Sequence, residues 1–328
     1  MPGKGARRRR VTQAGSGART LICGSLALDT IMVFPDRFAR HILPGETHVL
    51  SVSFQIGEMR REWGGTAGNI AYNLKALGGE PVVMATLGDD GSAYVERLRQ
   101  QGIGTEGVRI VPGTYTGQAF IITDLDDNQI TAFHPGAMNE SHCNRVSDVN
   151  DIALGIVAPD GRQGMREHAR DLARAGIPFV FDPGQGLPLF SGPELIEMID
   201  SADYVAVNDY EGRLLAERTG LSLEAIAARI QALIVTLGAD GSRIHTNGTT
   251  IDIPSVKPKA LVDPTGCGDA YRAGLLFGIA QGWSWERTGR LASLLGAIKI
   301  ASRGGQNHPI GRDTIAAMYA ESFGESVF

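Results

Sequence analysis

Seven residues, Asp263–Pro264–Thr265–Gly266–Cys267–Gly268–Asp269, lead directly into the helical stretch AYRAGLLFGIA. Gly266, Cys267 and Gly268 stand where a turn becomes a helix, so their N–H groups can converge on one point at the positive end of the helix dipole. Such a point binds an anion. Asp269, in the first turn of the helix, stands beside that anion, where phosphoryl transfer needs an acceptor for a hydroxyl proton. Taken locally, the same residues also fit an ordinary Asp-containing helix start followed by an amphipathic helix. The chain has no Gly-Lys-Ser/Thr phosphate loop and no strand-linked G-x-G-x-x-G.

Other residues carry related chemistry. Gly64–Gly65, shortly before Asn69, open another helix with small residues that let a ligand approach the backbone; a plain helix entry looks the same. Asp29 falls at the end of the first predicted strand, on the edge where α/β folds bind ligands, and a carboxylate there can accept two sugar hydroxyls. Thr236–Leu237–Gly238 with Gly241 follows an apolar strand and either faces a nucleotide or forms a hairpin. Asn208 and Glu211, three residues apart, suit a hydrated Mg²⁺ or a capping box.

To position these groups the chain must supply strands and helices in alternation. From Arg19 onward short apolar runs alternate with helical periodicities, the pattern of βα units and a mostly parallel, doubly covered sheet. LICGSLALD reads as the first strand, and PVVMATLG, IALGIVAP, IPFVFDP, YVAVND and ALIVTLG as five more. GGTAGNIAYNLKALGG reads as a helix with Ala67, Ile70, Ala71 and Leu74 on one face, stopped by Gly78. MREHARDLARAG and SLEAIAARIQ read as helices, as does most of the stretch from Asp269 to about Ser302, before Gly304–Gly305. Two segments break the alternation: TIMVF with HVLSVSF, and TGQAFIITD with QITAFHPG across Asp126–Asp127–Asn128. Both read as antiparallel strands with no helix of their own, so they are expected to pair into one small sheet acting as a lid over the carboxyl edge of the large one.

Composition narrows the class. Glycine, at 43 of 328 residues, runs at about twice its usual ~7 % share, which fits many tight turns and close backbone–ligand approaches. The net charge of −5 argues against a nucleic-acid-binding body. Cys23, Cys143 and Cys267 are too few and too scattered for a disulfide framework or zinc cluster, as expected of a cytoplasmic protein. The nearest apolar run, Leu21 to Phe34, is short of a membrane span and interrupted by Asp29. The basic block Arg7–Arg10 has no apolar stretch behind it, so a solvated tail over residues 1–19 is expected rather than a signal peptide.

Taken in chain order, these residues resemble the ribokinase/pfkB family of carbohydrate and nucleoside kinases. GGTAGN is similar to the family's first signature and DPTGCGDAYRAGLL to its second, and the likeness covers about residues 20 to 325. It implies a ribokinase-like domain over 20–328: a mostly parallel sheet with helices on both faces, plus a small antiparallel β lid from about 30–55 and 115–135. It also implies that Asp29, Gly64, Gly65 and Asn69 bind the sugar, that Gly266, Cys267 and Gly268 bind the transferring phosphate, and that Asp269 is the general base. Glu211 would hold Mg²⁺ through water with the help of Asn208, and Thr236, Gly238, Gly241 and Asn307 would line the ATP site. Many members of the family respond to potassium, here through carbonyls around Gly304 and Gly305.

Within the family, FPDRFARHILP, HVLSVSF and the two signatures look most like adenosine kinases. Phe120 and Phe133, on the two strands of one predicted hairpin, are placed to sandwich a purine, or else to pack across the strands. The expected reaction is ATP-dependent phosphorylation of a nucleoside 5′-hydroxyl, adenosine first, with ribose- or fructose-type sugars as the rival substrates. An intact Asp269 disfavours a catalytically silent nucleoside binder, and the missing G-x-G-x-x-G disfavours a dinucleotide oxidoreductase. Expected partners are the nucleoside and ATP, with no nucleic acid or membrane. The chain is expected as a monomer or a dimer joined through the exposed lid edge.

Overall fold

The computed structural model describes residues 18–42, 52–126 and 128–328. Along the chain the strands are β1 (Arg19–Cys23), β2 (Ala27–Val33), β3 (Glu58–Gly64), β4 (Glu80–Leu87), β5 (Gly104–Ile110), β6 (Gly117–Thr123), β7 (Gln129–His134), β8 (Ile152–Val157), β9 (Phe179–Phe181), β10 (Tyr204–Asn208), β11 (Ala232–Thr236), β12 (Ser242–Thr246) and β13 (Thr249–Ile253). The helices are α1 (Thr66–Ala76), α2 (Ser92–Gln100), α3 (Arg162–Ala175), α4 (Gly192–Ser201), α5 (Asp209–Thr219), α6 (Leu223–Ala227), α7 (Cys267–Ala280), α8 (Trp285–Lys299) and α9 (Arg312–Phe323).

Nine strands form one sheet in the order β13-β12-β11-β10-β9-β8-β1-β4-β5. All its pairs are parallel except β11–β12 and β12–β13 at one end. One apolar core, with Ile70, Leu74, Leu275 and Leu291, covers one face; a second, with Met165, Leu172, Leu195 and Leu215, covers the other. A strand buried on both faces reads as a continuous apolar run, which is why the predicted parallel strands coincide with the observed ones. No helix among the described residues is long and apolar enough to cross a membrane.

The small sheet has the order β3-β2-β6-β7, with antiparallel outer pairs joined by a parallel β2–β6 pair. Three details depart from the sequence reading. LICGSLALD is two strands: β1 ends at Cys23, the chain leaves the large sheet, and Asp29 sits inside β2 rather than at the end of the first strand. The crossing is close-packed, since a Cβ on Gly24 would come within 2.8 Å of Thr66 Oγ1. The partner of β2 is Glu58–Gly64, not HVLSVSF; residues 48–51 of that segment and Asp127 of the predicted turn lie outside the described residues, and 52–54 form no strand. Arg19, counted with the tail, already pairs with Glu80 in β1, and residues 1–17 of the tail lie outside the described residues.

Candidate active site

The N-terminus of α7 lies under the small sheet. Gly266 caps the helix at φ +80°, a left-handed conformation natural to glycine, and a Cβ there would stand 3.2 Å from the Cα of Gly305. The Cys267 N–H donates to Pro264 O at 3.2 Å and closes the turn. That leaves Gly268, exposed and with nothing within 4 Å of the place a Cβ would occupy, as the open glycine at the positive end of the helix.

Asp269 follows immediately. Asn69, from α1, donates its Nδ2 to Asp269 Oδ2 at 2.8 Å and accepts Gln306 Nε2 on its Oδ1 at 3.1 Å. Both ends of the Asn69 amide are thus engaged within the protein, and Asn69 orients the carboxylate. Gly305 makes room for it, because a Cβ there would lie 2.2 Å from Asn69 Oδ1. Burial pushes the Asp269 carboxyl up to about 7, with Asp182 adding to the rise and the Asn69 hydrogen bond opposing it. A carboxylate of that basicity is matched to taking a hydroxyl proton near neutrality.

Below it lies an ion pair that the sequence reading did not find. Arg272, one turn along α7, donates Nε and an Nη to the two oxygens of Asp182 at 3.1 and 3.2 Å, with both side chains buried. Glu211 stands near this pair, and burial raises its pKa, with Asp182 acting in the same sense. Asn208 and Glu211 form the capping box of α5: the Asn208 N–H donates to Glu211 Oε2 at 2.8 Å, and the Glu211 N–H to Asn208 Oδ1 at 2.7 Å. One Glu211 oxygen stays uncommitted. Among the described residues no cluster of three acidic, His or Cys side chains is arranged to hold a metal. This donor set fits Mg²⁺ that keeps most of its water, held by one carboxylate and the phosphates it travels with.

On the small-sheet side, Asp29 pairs with Glu62 and Ala119 across the strands, and Ala119 with Phe133, so these four residues share one face. Gly64 leaves space for the Asp29 carboxylate, since a Cβ there would lie 2.4 Å from Asp29 Oδ2. Gly65, at φ +88°, turns the chain from β3 into α1 against the backbone of Ser25 and Ala27. Burial pushes Asp29 up to about 6, and the neighbouring Glu62 and Asp263 add to the rise.

Phe120 pairs with Ala132 and Thr30, one position out of step with Phe133, and therefore points from the opposite face. The two rings cannot sandwich one base. Asn307 also departs from expectation: its amide donates to Glu62 Oε2 under the small sheet, away from the residues that line the nucleotide-sized cavity.

That cavity, of about 600 Å³, opens on the other side of the α7 N-terminus. Thr236, Gly238 and Gly241 of the β11–β12 hairpin form one wall, Lys257 and Pro258 another, and Cys267 with Gly268 its inner end. The segment Thr236–Gly241 is a hairpin, and its Thr236, Gly238 and Gly241 line this cavity. Asp269 directly follows Cys267 and Gly268 of the cavity lining, and its partner Asn69 stands in α1, which Gly65 joins to β3 of the small sheet.

Comparison with known proteins gives the family and the fold. A family model described as pfkB family carbohydrate kinase matches residues 28–310. The chain is 30% identical over 266 residues to a nucleoside kinase of Methanocaldococcus jannaschii, covering 79% of this chain and 85% of the relative. It superposes on the nucleoside kinase of Burkholderia thailandensis in complex with inosine with a TM-score of 0.85 and 52% identity, over 94% of this chain and 99% of the other. The complex of that kinase with ADP and inosine gives a TM-score of 0.83 and 53% identity, over 94% and 97%.

Proposed function

The chain belongs to the pfkB family of carbohydrate kinases, and from that premise we propose that it transfers the γ-phosphate of ATP to the 5′-hydroxyl of a purine nucleoside, with adenosine as the first candidate. The observation that carries this reading is the Asp269 carboxylate, held by Asn69 and directly following Cys267 and Gly268 in the lining of the 600 Å³ cavity. Support for a nucleoside over a free sugar comes from the Burkholderia thailandensis enzyme, about half identical to this chain and seen with inosine.

In this mechanism Asp29 accepts two ribose hydroxyls, and Phe133 on the same face stacks on the base. ATP occupies the cavity beside Thr236, Gly238 and Gly241, with its γ-phosphate at the N-terminus of α7. Gly268, with the helix dipole, stabilises the charge that builds on the transferring phosphoryl group. Asp269 takes the 5′-hydroxyl proton as the oxygen attacks. Mg²⁺, when bound through water to Glu211, neutralises phosphate charge. The small sheet closes over the nucleoside as a lid and excludes water, and its free edges are where a second copy would pair if the protein dimerises.

The test is a panel of adenosine, inosine, guanosine, cytidine, ribose and fructose with Mg-ATP, following ADP release. The purine nucleosides should give the highest kcat/KM. Faster turnover of ribose or fructose would replace this reading with a sugar kinase of the same fold, and inosine ahead of adenosine would change the preferred base.

A further inference from the structure

Lys299, the last residue of α8, has 0% exposure and is the single charge in the run GAIKIA. A buried ammonium is costly unless its donors are met. Lys299 Nζ donates to Asp263 O at 2.8 Å and to Ser302 O at 2.9 Å. The Asp263 carboxylate completes the arrangement by accepting Thr265 N–H at 2.9 Å on one oxygen and Gly304 N–H at 2.8 Å on the other. An ammonium and a carboxylate thus tie the turn that leads into α7 to the 302–305 turn, whose Gly305 packs on Asn69. Asn69 in turn holds Asp269.

Main-chain carbonyls turned inward onto one point, next to an anion site, are a monovalent cation's ordinary ligands. Here two of them already accept hydrogen bonds from an ammonium on a covalent tether. Potassium, which the family resemblance puts near Gly304 and Gly305, does not fit beside it without displacing Lys299 from those carbonyls.

We propose that the Lys299 ammonium is the built-in monovalent cation of this site, a positioning residue that holds the anion-binding turn in register with Asn69 and makes added potassium unnecessary. The proposal rests on the kinase reading for its rate effects alone. The fixed charge holds Gly266 and Gly268 where the phosphate arrives, so its removal lowers kcat and leaves nucleoside KM nearly unchanged.

The experiment uses the full chain at constant ionic strength in potassium, sodium or choline chloride. Wild-type turnover should be the same in all three. Lys299→Met, which keeps the apolar stem and removes the charge, should lower kcat by roughly 10- to 100-fold, the usual cost of losing an outer partner at an ion site. Lys299→Ala opens the space and should regain much of that loss in potassium or methylammonium but not in choline. A second readout does not depend on catalysis: potassium, against choline, should raise the melting temperature of Lys299→Ala and not that of wild type. Potassium activation of the wild type would overturn the proposal, as would full kcat in Lys299→Met. A Lys299→Ala protein indifferent to potassium in both rate and melting temperature would do the same. Absence of ADP release from wild type with every acceptor would instead sink the kinase reading, and the melting series would still decide the question of the cation.

Discussion

The two walls of the site are built in opposite ways. On one side α7 packs against a doubly covered sheet whose strand β4 is buried along nearly its whole length, and Asp269 is held by Asn69, itself held by Gln306, within electrostatic reach of the buried Asp182–Arg272 pair. On the other side β7, the edge strand of the small sheet, is exposed at every residue. The group proposed to take the proton is held by a buried partner, while Phe133, proposed to meet the base, stands on an exposed edge strand, the kind of element that opens at low cost. Catalysis needs a fixed carboxylate, and selection needs a surface that opens and shuts.

The largest effect that can break this contrast belongs to the rigid wall. Asp269→Asn keeps the size and an oxygen to accept from Asn69 but cannot take a proton, so kcat should fall by roughly 10²–10⁴ with both KM values nearly unchanged. Near-normal turnover would show that Asp269 serves only as the structural partner of Asn69. A general base acts in its ionised form, so on the proposed role of Asp269 kcat should rise as pH increases through about 7, where burial holds this group. Stability runs the other way. A carboxyl whose pKa is raised by folding stabilises the protein below the unfolded value and loses that contribution as pH rises through the folded one. Asp269→Asn should therefore melt higher than wild type above pH about 7 and lose that advantage in acid.

How far the sequence reveals each wall follows from the same contrast. Parallel strands buried on both faces announce themselves as apolar runs, so PVVMATLG and ALIVTLG coincide with β4 and β11. The switch from β1 to β2 stays hidden because Leu26 and Ala27, at the change of sheet, are as buried as the strand before them. β3, EMRREWG, is charged and largely exposed and shows no apolar period, whereas the alternation of HVLSVSF draws the strand assignment to itself. Asp182 and Arg272 meet across 90 positions, which no local pattern reveals. Lys299 does leave a trace, as one charge inside an apolar helical run, and that interruption is the signal to search for.

On the small-sheet side the next effect in size is that of Asp29. Asp29→Ala should raise the nucleoside KM by roughly 10- to 150-fold in all, the net loss of about one hydrogen bond to a charged group at about 1.5–3 kcal/mol. The ATP KM should stay within error. Adenosine lacking its 2′- and 3′-hydroxyls should bind wild type poorly and be indifferent to the substitution; sensitivity of that analogue would place the action of Asp29 elsewhere. With the Asp29 carboxyl pushed up to about 6, the nucleoside KM should also climb as pH falls through that value and the acceptor is protonated.

The smallest effect separates the two faces of the small sheet. Phe133 shares a face with Asp29 through Ala119, and Phe120 is one position out of step on the opposite face. Both rings are open to solvent, Phe133 at 50% and Phe120 at 40%, so neither serves mainly as core and the two alanine variants should fold alike. Phe133→Ala should weaken adenosine by about 1–3 kcal/mol, the measured range for one base–aromatic stack, and leave free ribose unaffected. Phe120→Ala should leave both unchanged, because a single step along a strand turns a side chain away from the ligand. Saturation kinetics with adenosine and with ribose on the two variants decides the matter. Equal losses from Phe120 and Phe133 would mean that the sheet twists enough to bring both rings to the base, and the division between the two faces of the small sheet would fail.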